Sequence, residues 1–222
     1  MTATVTSSAD PRLVPAGLTQ VVALGEDDFP VWLAVLLSED GQDPPPVVLP
    51  EAEAVERIGD AWLTRARLGE VGEVAAIEVS ALVAPKAPPM WFAEVPETGP
   101  PRALNLIAFT GFDVEPGSVL DLTAQMTVRG LSGEQQIGSI RWYPDTGEMD
   151  RAYVAPDWRR RTIATALMGA CATYNLAIGK PMGWGDGQRT AMGEKWRNSH
   201  GFGHRAADLV NLAPPMTPPD QR

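Results

Sequence analysis

The sequence predicts an α/β (α+β) fold in which a mixed, largely antiparallel sheet is flanked by helices. The chain has 222 residues, of which 44% are hydrophobic and 21% charged, a globular composition that is large enough to bury a core. Its second half contains three strand-like segments that are separated by turn signals. A proline and a helical repeat of small and apolar residues directly follow the last of these segments.

The charge of the chain divides it into two regions. Residues 1–120 carry 6 Lys+Arg and 18 Asp+Glu, whereas residues 121–222 carry 12 and 10. We therefore expect a flexible N-terminal arm, an acidic α+β region, a core domain and a proline-rich flexible tail. The acidic region either completes the sheet of the core or forms a separate subdomain. The predicted bounds of the four segments are 1–16, 17–120, 121–212 and 213–222.

The first half of the chain predicts a mixture of strands and helices. Residues 28–37 predict a short helix, because Asp28 can cap it and Pro30 suits its first turn. Residues 51–68 predict a longer helix, since apolar side chains recur there at helical spacing. Strands are predicted at 21–24, 70–83 and 104–110, and a proline-rich loop at 85–101.

The second half has more regular patterns. Residues 122–129, 135–143 and 148–154 predict a meander of antiparallel strands, because turn sequences separate them. Residues 160–176 predict a helix, which Gly179 would terminate. The remaining expected elements are a short strand at 182–184, a helix at 190–200 and a strand at 205–212.

Composition excludes several classes of function. The net charge of −10 argues against a general nucleic-acid binder, which needs a basic surface. The single cysteine, Cys171, excludes an internal disulfide and is compatible with a reducing compartment. His200 and His204 have no clustered carboxylate or thiolate nearby in the sequence, so we expect no metal site. With neither a signal peptide nor a bilayer-spanning apolar run, we expect a cytoplasmic protein without membrane contact, and no pattern indicates its oligomeric state.

Residues 153–168 predict an anion-binding turn. A strand ends there, and an arginine-rich turn then opens a helix of small residues. The first N–H groups of a helix lack intrahelical partners and carry the positive end of the helix dipole. Arg159, Arg160 and Arg161 add full charges, so the turn suits a diphosphate. A solvated basic patch, or an ion-pair centre for the acidic first half, is the alternative interpretation.

This stretch resembles the acyl-coenzyme-A binding motif of the GNAT superfamily of N-acetyltransferases, which reads V-x-P-x-x-(R/Q)-x-x-G-x-(G/A). Val154, Pro156, Arg159 and Ala164 match the motif, and Thr162 replaces its first glycine. In that family the backbone N–H groups of the turn hold the pyrophosphate of coenzyme A, so the resemblance implies acetyl-CoA as a cosubstrate. The candidate cofactor-binding residues are Tyr153, Val154, Arg159, Arg160, Arg161, Thr162, Ile163, Ala164, Thr165 and Arg189.

The resemblance extends over about residues 124–212 and implies that the 121–212 core is GNAT-like and binds acyl-CoA. The family uses an acidic residue near the matching strand as a base, for which Glu148 and Asp150 are the candidates. Arg197 stands where the family commonly has a proton-donating tyrosine, and it can stabilise a thiolate but donates protons poorly. The implied function is an acyl-CoA-dependent N-acyltransferase, acting as an N-acetyltransferase on an amine or protein acceptor. The alternative is a catalytically inactive binding or assembly module of the same fold.

Overall fold

The described part of the chain is an α+β fold built from two main sheets and a few helices. A computed structural model describes residues 17–27, 29–38, 44–185, 187–199 and 207–212. Both main sheets are mostly antiparallel, which confirms the predicted mixed, largely antiparallel architecture at this level. The predicted arm and tail, together with His200 and His204, lie outside the described residues. No helix within these ranges combines the length and hydropathy that crossing a bilayer requires.

The first sheet has five strands in the order β3-β1-β2-β4-β5. In chain order they are β1 (Leu18–Leu24), β2 (Pro30–Leu37), β3 (Val47–Pro50), β4 (Trp62–Leu68) and β5 (Val74–Val79). The short strand β3 runs parallel to β1, and the other pairs are antiparallel. Helix α1 (Glu51–Ile58) connects β3 to β4 and buries Ala54 and Ile58 against one face of this sheet.

The second sheet has six strands in the order β11-β10-β9-β7-β6-β8. They are β6 (Trp91–Glu97), β7 (Ala103–Phe109), β8 (Val119–Asp121), β9 (Gly138–Tyr143), β10 (Glu148–Val154) and β11 (Trp184–Gly185). Strands from both halves of the chain therefore share one sheet. Its β6–β8 and β10–β11 pairs are parallel. The remaining elements are α2 (Leu122–Arg129), α3 (Ile163–Ala177), α4 (Ala191–Ser199) and a parallel pair of β12 (Gln188–Arg189) with β13 (Asn211–Leu212).

Helix α3 lies between the two sheets. Its residues Ala166, Leu167 and Ala170 are buried with side chains of the second sheet. On the other side, Thr173 donates a hydrogen bond to the hydroxyl of Thr64 in β4. Nine of the fifteen residues of α3 are buried, which explains why its sequence is apolar on nearly every face.

The two sheets also meet along one seam. The N–H of Ile77 in β5 donates to the carbonyl of Gly117, 2.7 Å away, just before β8. Gly117 has a φ of +89°, and a side chain there would crowd the Ile77 carbonyl at 3.0 Å. The seam therefore requires glycine, and it joins the sheets on one side of α3.

Several expected elements have a different secondary structure, among them the loop expected at 85–101, which contains strand β6. The helix expected at 28–37 is wrong, because strand β2 occupies Pro30–Leu37. Leu33 and Val35 pack with α3-side residues while Ala34 packs with the α1 side, so both faces of this strand are buried. A strand buried on both faces is continuously apolar and has no alternation that would distinguish it from a helix.

The strand expected at 122–129 is also wrong, because these residues form α2. The Asp121 carboxylate accepts the N–H of Ala124 at 2.8 Å, and Gly130 ends the helix in the left-handed conformation. These capping contacts stabilise a helix, although the segment contains β-branched residues that favour a strand. The helix expected at 51–68 ends at Ile58, before Gly59, and the chain continues as β4.

Replacing Asn175 with alanine is expected to destabilise the fold strongly. The side-chain amide of this fully buried residue accepts from Trp142 Nε1 and donates to the Pro181 carbonyl, both at 2.8 Å. Removing it leaves buried groups unpaired, which costs about 3 kcal/mol of unfolding free energy. Chemical denaturation measures the loss. The control Asn198→Ala, on the exposed side of α4, should cost less than about 0.5 kcal/mol, and equal losses would contradict this account.

Candidate functional site

The turn between β10 and α3 has an unusual backbone. The chain leaves β10 through a 3-10 turn over Pro156–Trp158 and then enters the helix at Ile163. Arg160 and Thr162 have φ values of +65° and +54°. Left-handed backbone costs an L residue about 1–2 kcal/mol and is rare for a β-branched side chain. The connection from strand to helix is therefore held by contacts elsewhere.

The N–H groups of residues 160–164, in the second part of this turn, have no acceptor in the part of the chain that the structure describes. The first bond of the helix runs from the Ala166 N–H to the Thr162 carbonyl at 3.0 Å. Arg160 and Arg161 are exposed, so solvent reaches the turn. These are the properties that an anion-binding helix terminus requires.

A loop from the first half of the chain holds Thr162 in place. The Thr162 hydroxyl accepts the N–H of Lys86 at 3.1 Å. Lys86 belongs to the loop between β5 and β6, 76 residues away in sequence. The contact gives a physical reason for threonine at a position where the motif has glycine. Lys86 itself is exposed, and sequence reasoning missed it because no local pattern connects it to the turn.

The strand that leads into the turn has an open edge. Strand β11 pairs with β10 only at Glu148 and Met149. No described strand pairs with that edge over residues 150–154, and the β9 register has a bulge between Met149 and Arg151. An unpaired strand edge offers N–H and carbonyl groups to an extended ligand. Here that edge ends at the same turn.

The predicted cofactor-binding residues have different environments. Arg159 folds back so that its Nε donates to the Val154 carbonyl at 3.2 Å. The Arg161 guanidinium lies over the Trp158 ring, 4.7 Å from its centroid, while Arg160 forms no ion pair with a described residue. Ile163 and Thr165 are buried in the first turn of α3, whereas Tyr153, Val154, Thr162 and Ala164 are half-buried.

Helix α4 is hydrogen-bonded to the first turn of α3 and forms an ion pair with Arg189. Trp196 Nε1 donates to the Thr165 hydroxyl at 3.0 Å. Arg189, a candidate for phosphate binding, has a side chain only 11% exposed and bonds the Glu194 carboxylate at 2.7 Å. This pairing lowers the pKa of Glu194. The structure therefore gives Arg189 a role in fixing α4 against β12.

The three candidate catalytic residues are not gathered around one point. Glu148 begins β10, about 20 Å along the strand from Val154. Asp150 forms an ion pair with Arg141 at 2.7 Å. Arg197 lies 3.3 Å from an Asp208 oxygen and 3.9 Å from a Glu194 oxygen. The charges of Asp150 and Arg197 are thus engaged within the protein.

Arg141 organises the charges on the outer side of β9 and β10. It donates to Glu97 at 2.8 Å, to Asp150 at 2.7 Å and to the Tyr143 hydroxyl at 3.1 Å. These hydrogen bonds lower the pKa of Glu97 to about 2 and raise that of Arg141. A carboxylate held by a guanidinium in this way is less available to accept a substrate proton.

Other reactive groups do not form a second centre. Cys171 is completely buried in α3, and burial raises the pKa of its thiol, so it packs as a small apolar residue. Burial also raises the pKa of Glu94. Within the described ranges, no three His, Cys, Asp or Glu side chains group closely enough to hold a metal ion.

Comparison with known proteins gives no match. A scan against protein-family models found none. Searches among curated proteins and among solved structures also found none. Without a match, the class of protein is defined by its geometry alone. It is an α+β protein in which one edge of β10 is not paired with a described strand over residues 150–154. That edge ends at the N-terminus of the buried helix α3.

Replacing Thr162 with valine is expected to destabilise the protein by about 1 kcal/mol, because the Lys86 N–H loses its acceptor while the branched shape is kept. Thermal or chemical denaturation measures this loss. Thr19→Val in β1 is the matched control, since the Thr19 hydroxyl bonds with no described residue. A Thr162→Val protein as stable as the control would show that the tether does not hold the turn.

Glu97 is expected to titrate near pH 2, well below its ordinary pKa of 4.5, because Arg141 stabilises its charged form. A lowered carboxyl pKa contributes stability above the unfolded-state value, and this contribution disappears as the pH falls from about 4.5 to about 2. NMR of the side-chain carboxyl carbon follows the titration. In Arg141→Gln the midpoint should rise toward 4.5, and an unchanged midpoint would exclude Arg141 as the cause.

Proposed function

We propose that this chain is an acyl-CoA-dependent N-acyltransferase with a GNAT-like fold, and that the transferred group is acetyl. The supporting observation is the β10–α3–β11 unit. Its parallel strands pair only at Glu148 and Met149, so no described strand covers that edge of β10 over residues 150–154, beside a turn whose N–H groups at 160–164 have no described acceptor. An extended ligand with a diphosphate at one end matches both features, and acetyl-CoA has that form.

In this proposal the coenzyme lies along the strand edge and across the turn. The N–H groups of residues 160–164 bind the diphosphate, with Arg160 and Arg161 adding charge. The pantetheine arm contains amide groups and follows residues 150–154 as an additional strand would. A backbone N–H near Tyr153 or Val154 polarises the thioester carbonyl.

The chemical step is a direct transfer to the acceptor amine. The amine nitrogen forms a bond to the thioester carbonyl carbon, the carbon–sulfur bond breaks, and coenzyme A leaves as a thiolate. Holding both reactants in line supplies most of the acceleration. Asp150 or Glu148 would accept the amine proton through intervening water, since both lie several residues along β10 from Tyr153 and Val154, and Arg197 would stabilise the thiolate electrostatically. The step as written requires no metal, and the acceptor is an amine on a small molecule or a protein.

A second candidate function is a coenzyme-binding or assembly module without turnover. The ion pairs of Asp150 and Arg197 favour it, because each of these charges is engaged by the protein. An arginine at position 197 also leaves the thiolate without an obvious proton donor. The two functions predict the same ligand and differ only in whether it reacts.

Calorimetric titration with acetyl-CoA tests the shared part of both functions. We expect micromolar binding by the wild-type chain and at least a tenfold loss in Arg160→Glu, roughly the effect of reversing one phosphate contact. The control Arg57→Glu makes the same charge change on the exposed side of α1 and should bind normally. A folded wild-type chain that does not bind acetyl-CoA would contradict the proposal.

Thiol release from acetyl-CoA separates the two functions. A panel of amines, peptides and aminoglycosides is assayed with wild-type protein and with Arg197→Tyr. For an acyltransferase we expect amine-dependent release, and higher turnover in Arg197→Tyr because a phenol can protonate the thiolate. Binding without release from any acceptor, in both proteins, would support the module and contradict transfer.

A further inference from the structure

We infer that Lys86 binds the diphosphate of the same ligand and that its loop, residues 80–90, is the second wall of the binding site. This inference rests on the proposed function. The inference adds a ligand-binding residue to the proposed function. This residue comes from the acidic first half of the chain and is not part of the motif. The juxtaposition that supports it is the 3.1 Å contact between the Lys86 N–H and the Thr162 hydroxyl.

The loop is built to hold a fixed position. Ala84 and Met90 are buried, with relative exposures of 5% and 8%, and both pack in the cluster that contains α3. Ala84 and Val83 donate N–H bonds to the Ser80 carbonyl at 3.0 Å, and the Thr110 hydroxyl donates to the Pro89 carbonyl at 2.9 Å. A loop tied at both ends places the Lys86 main chain beside the turn, so the loop backbone has little conformational freedom to lose on binding.

The charge of Lys86 has no acidic partner among the described residues. It forms no ion pair with a described residue, although its half of the chain contains 18 Asp+Glu and only 6 Lys+Arg. Arg160 and Arg161, on the other side of Thr162, form none either. The turn and the loop bonded to it therefore carry three cations that form no ion pair with a described residue, beside N–H groups at 160–164 that have no described acceptor. The nearby acid is the exposed Asp157.

The position of Lys86 indicates a contact with the diphosphate of the ligand and not with the phosphate at the 3′ position of its ribose. Its main chain contacts the residue directly before the first turn of α3, where the diphosphate is expected. A lysine carries its ammonium on a flexible four-carbon stem, which can reach a group bound to those N–H atoms. The diphosphate would then bridge a loop of the first half and a helix of the second half. A separate phosphate at the 3′ position of the ribose would lie outside this contact.

Calorimetric titration of the full chain with coenzyme A and with dephospho-coenzyme A tests this inference. The variants are Lys86→Gln, which keeps the backbone N–H bonded to Thr162, and Arg57→Gln on α1 as the charge-matched control. We expect Lys86→Gln to weaken both ligands by roughly tenfold, as loss of one charged contact does. Arg57→Gln should leave both affinities unchanged.

The outcomes separate this inference from the proposed function. If Lys86→Gln binds both ligands more weakly while Arg57→Gln does not, the result supports a contact between Lys86 and the diphosphate. If Lys86→Gln weakens the binding of coenzyme A only, that assignment is overturned, because Lys86 would then contact the 3′-phosphate. Wild-type affinity in Lys86→Gln overturns the inference and leaves the proposed function intact. A wild-type chain that binds neither ligand overturns both, and circular dichroism shows in every case that the variant is folded.

Discussion

The burial of α3 between two sheets is the constraint on which the rest of this structure depends. An amphipathic helix buries one stripe, whereas α3 presents apolar and small residues to β-strands on both sides. Gly169 shows how close the packing is, since a side chain there would lie 3.1 Å from the Thr64 methyl group. With its sides occupied, the helix can meet a ligand only at its ends.

This arrangement also explains why the acidic first half and the core form one unit. The first half contributes strands to both sheets, and the N–H of its Lys86 bonds to Thr162 in the turn before α3. The hydrogen bond to Thr162 fixes a backbone conformation that threonine rarely adopts. Strain of this kind persists only where surrounding structure over-determines it. The turn is therefore shaped by residues that are distant in sequence.

The sequence predicts the elements around the candidate site, but not every residue that packs against it. The β10 strand, the turn and α3 follow from local signals, because a proline, a basic turn and a small-residue repeat are adjacent. The sequence of β2 predicts a helix because the strand is buried on both faces, so its residues do not alternate between polar and apolar. Asp121 and Gly130 cap α2, and both are sequence signals of a helix that the prediction of a strand does not take into account. Lys86 could not be predicted, since only the packing of two sheets brings it to the turn.

The most direct test of the central claim is a titration of the isotope-labelled protein with acetyl-CoA, followed by two-dimensional NMR of its backbone N–H groups. The account predicts that the largest shifts fall on residues 160–164, with a second set along residues 150–154. Since the N–H groups of residues 160–164 have no acceptor among the described residues, they should move downfield as the ligand supplies one. Unchanged signals at both segments in a folded protein, or shifts confined to another surface, would contradict it.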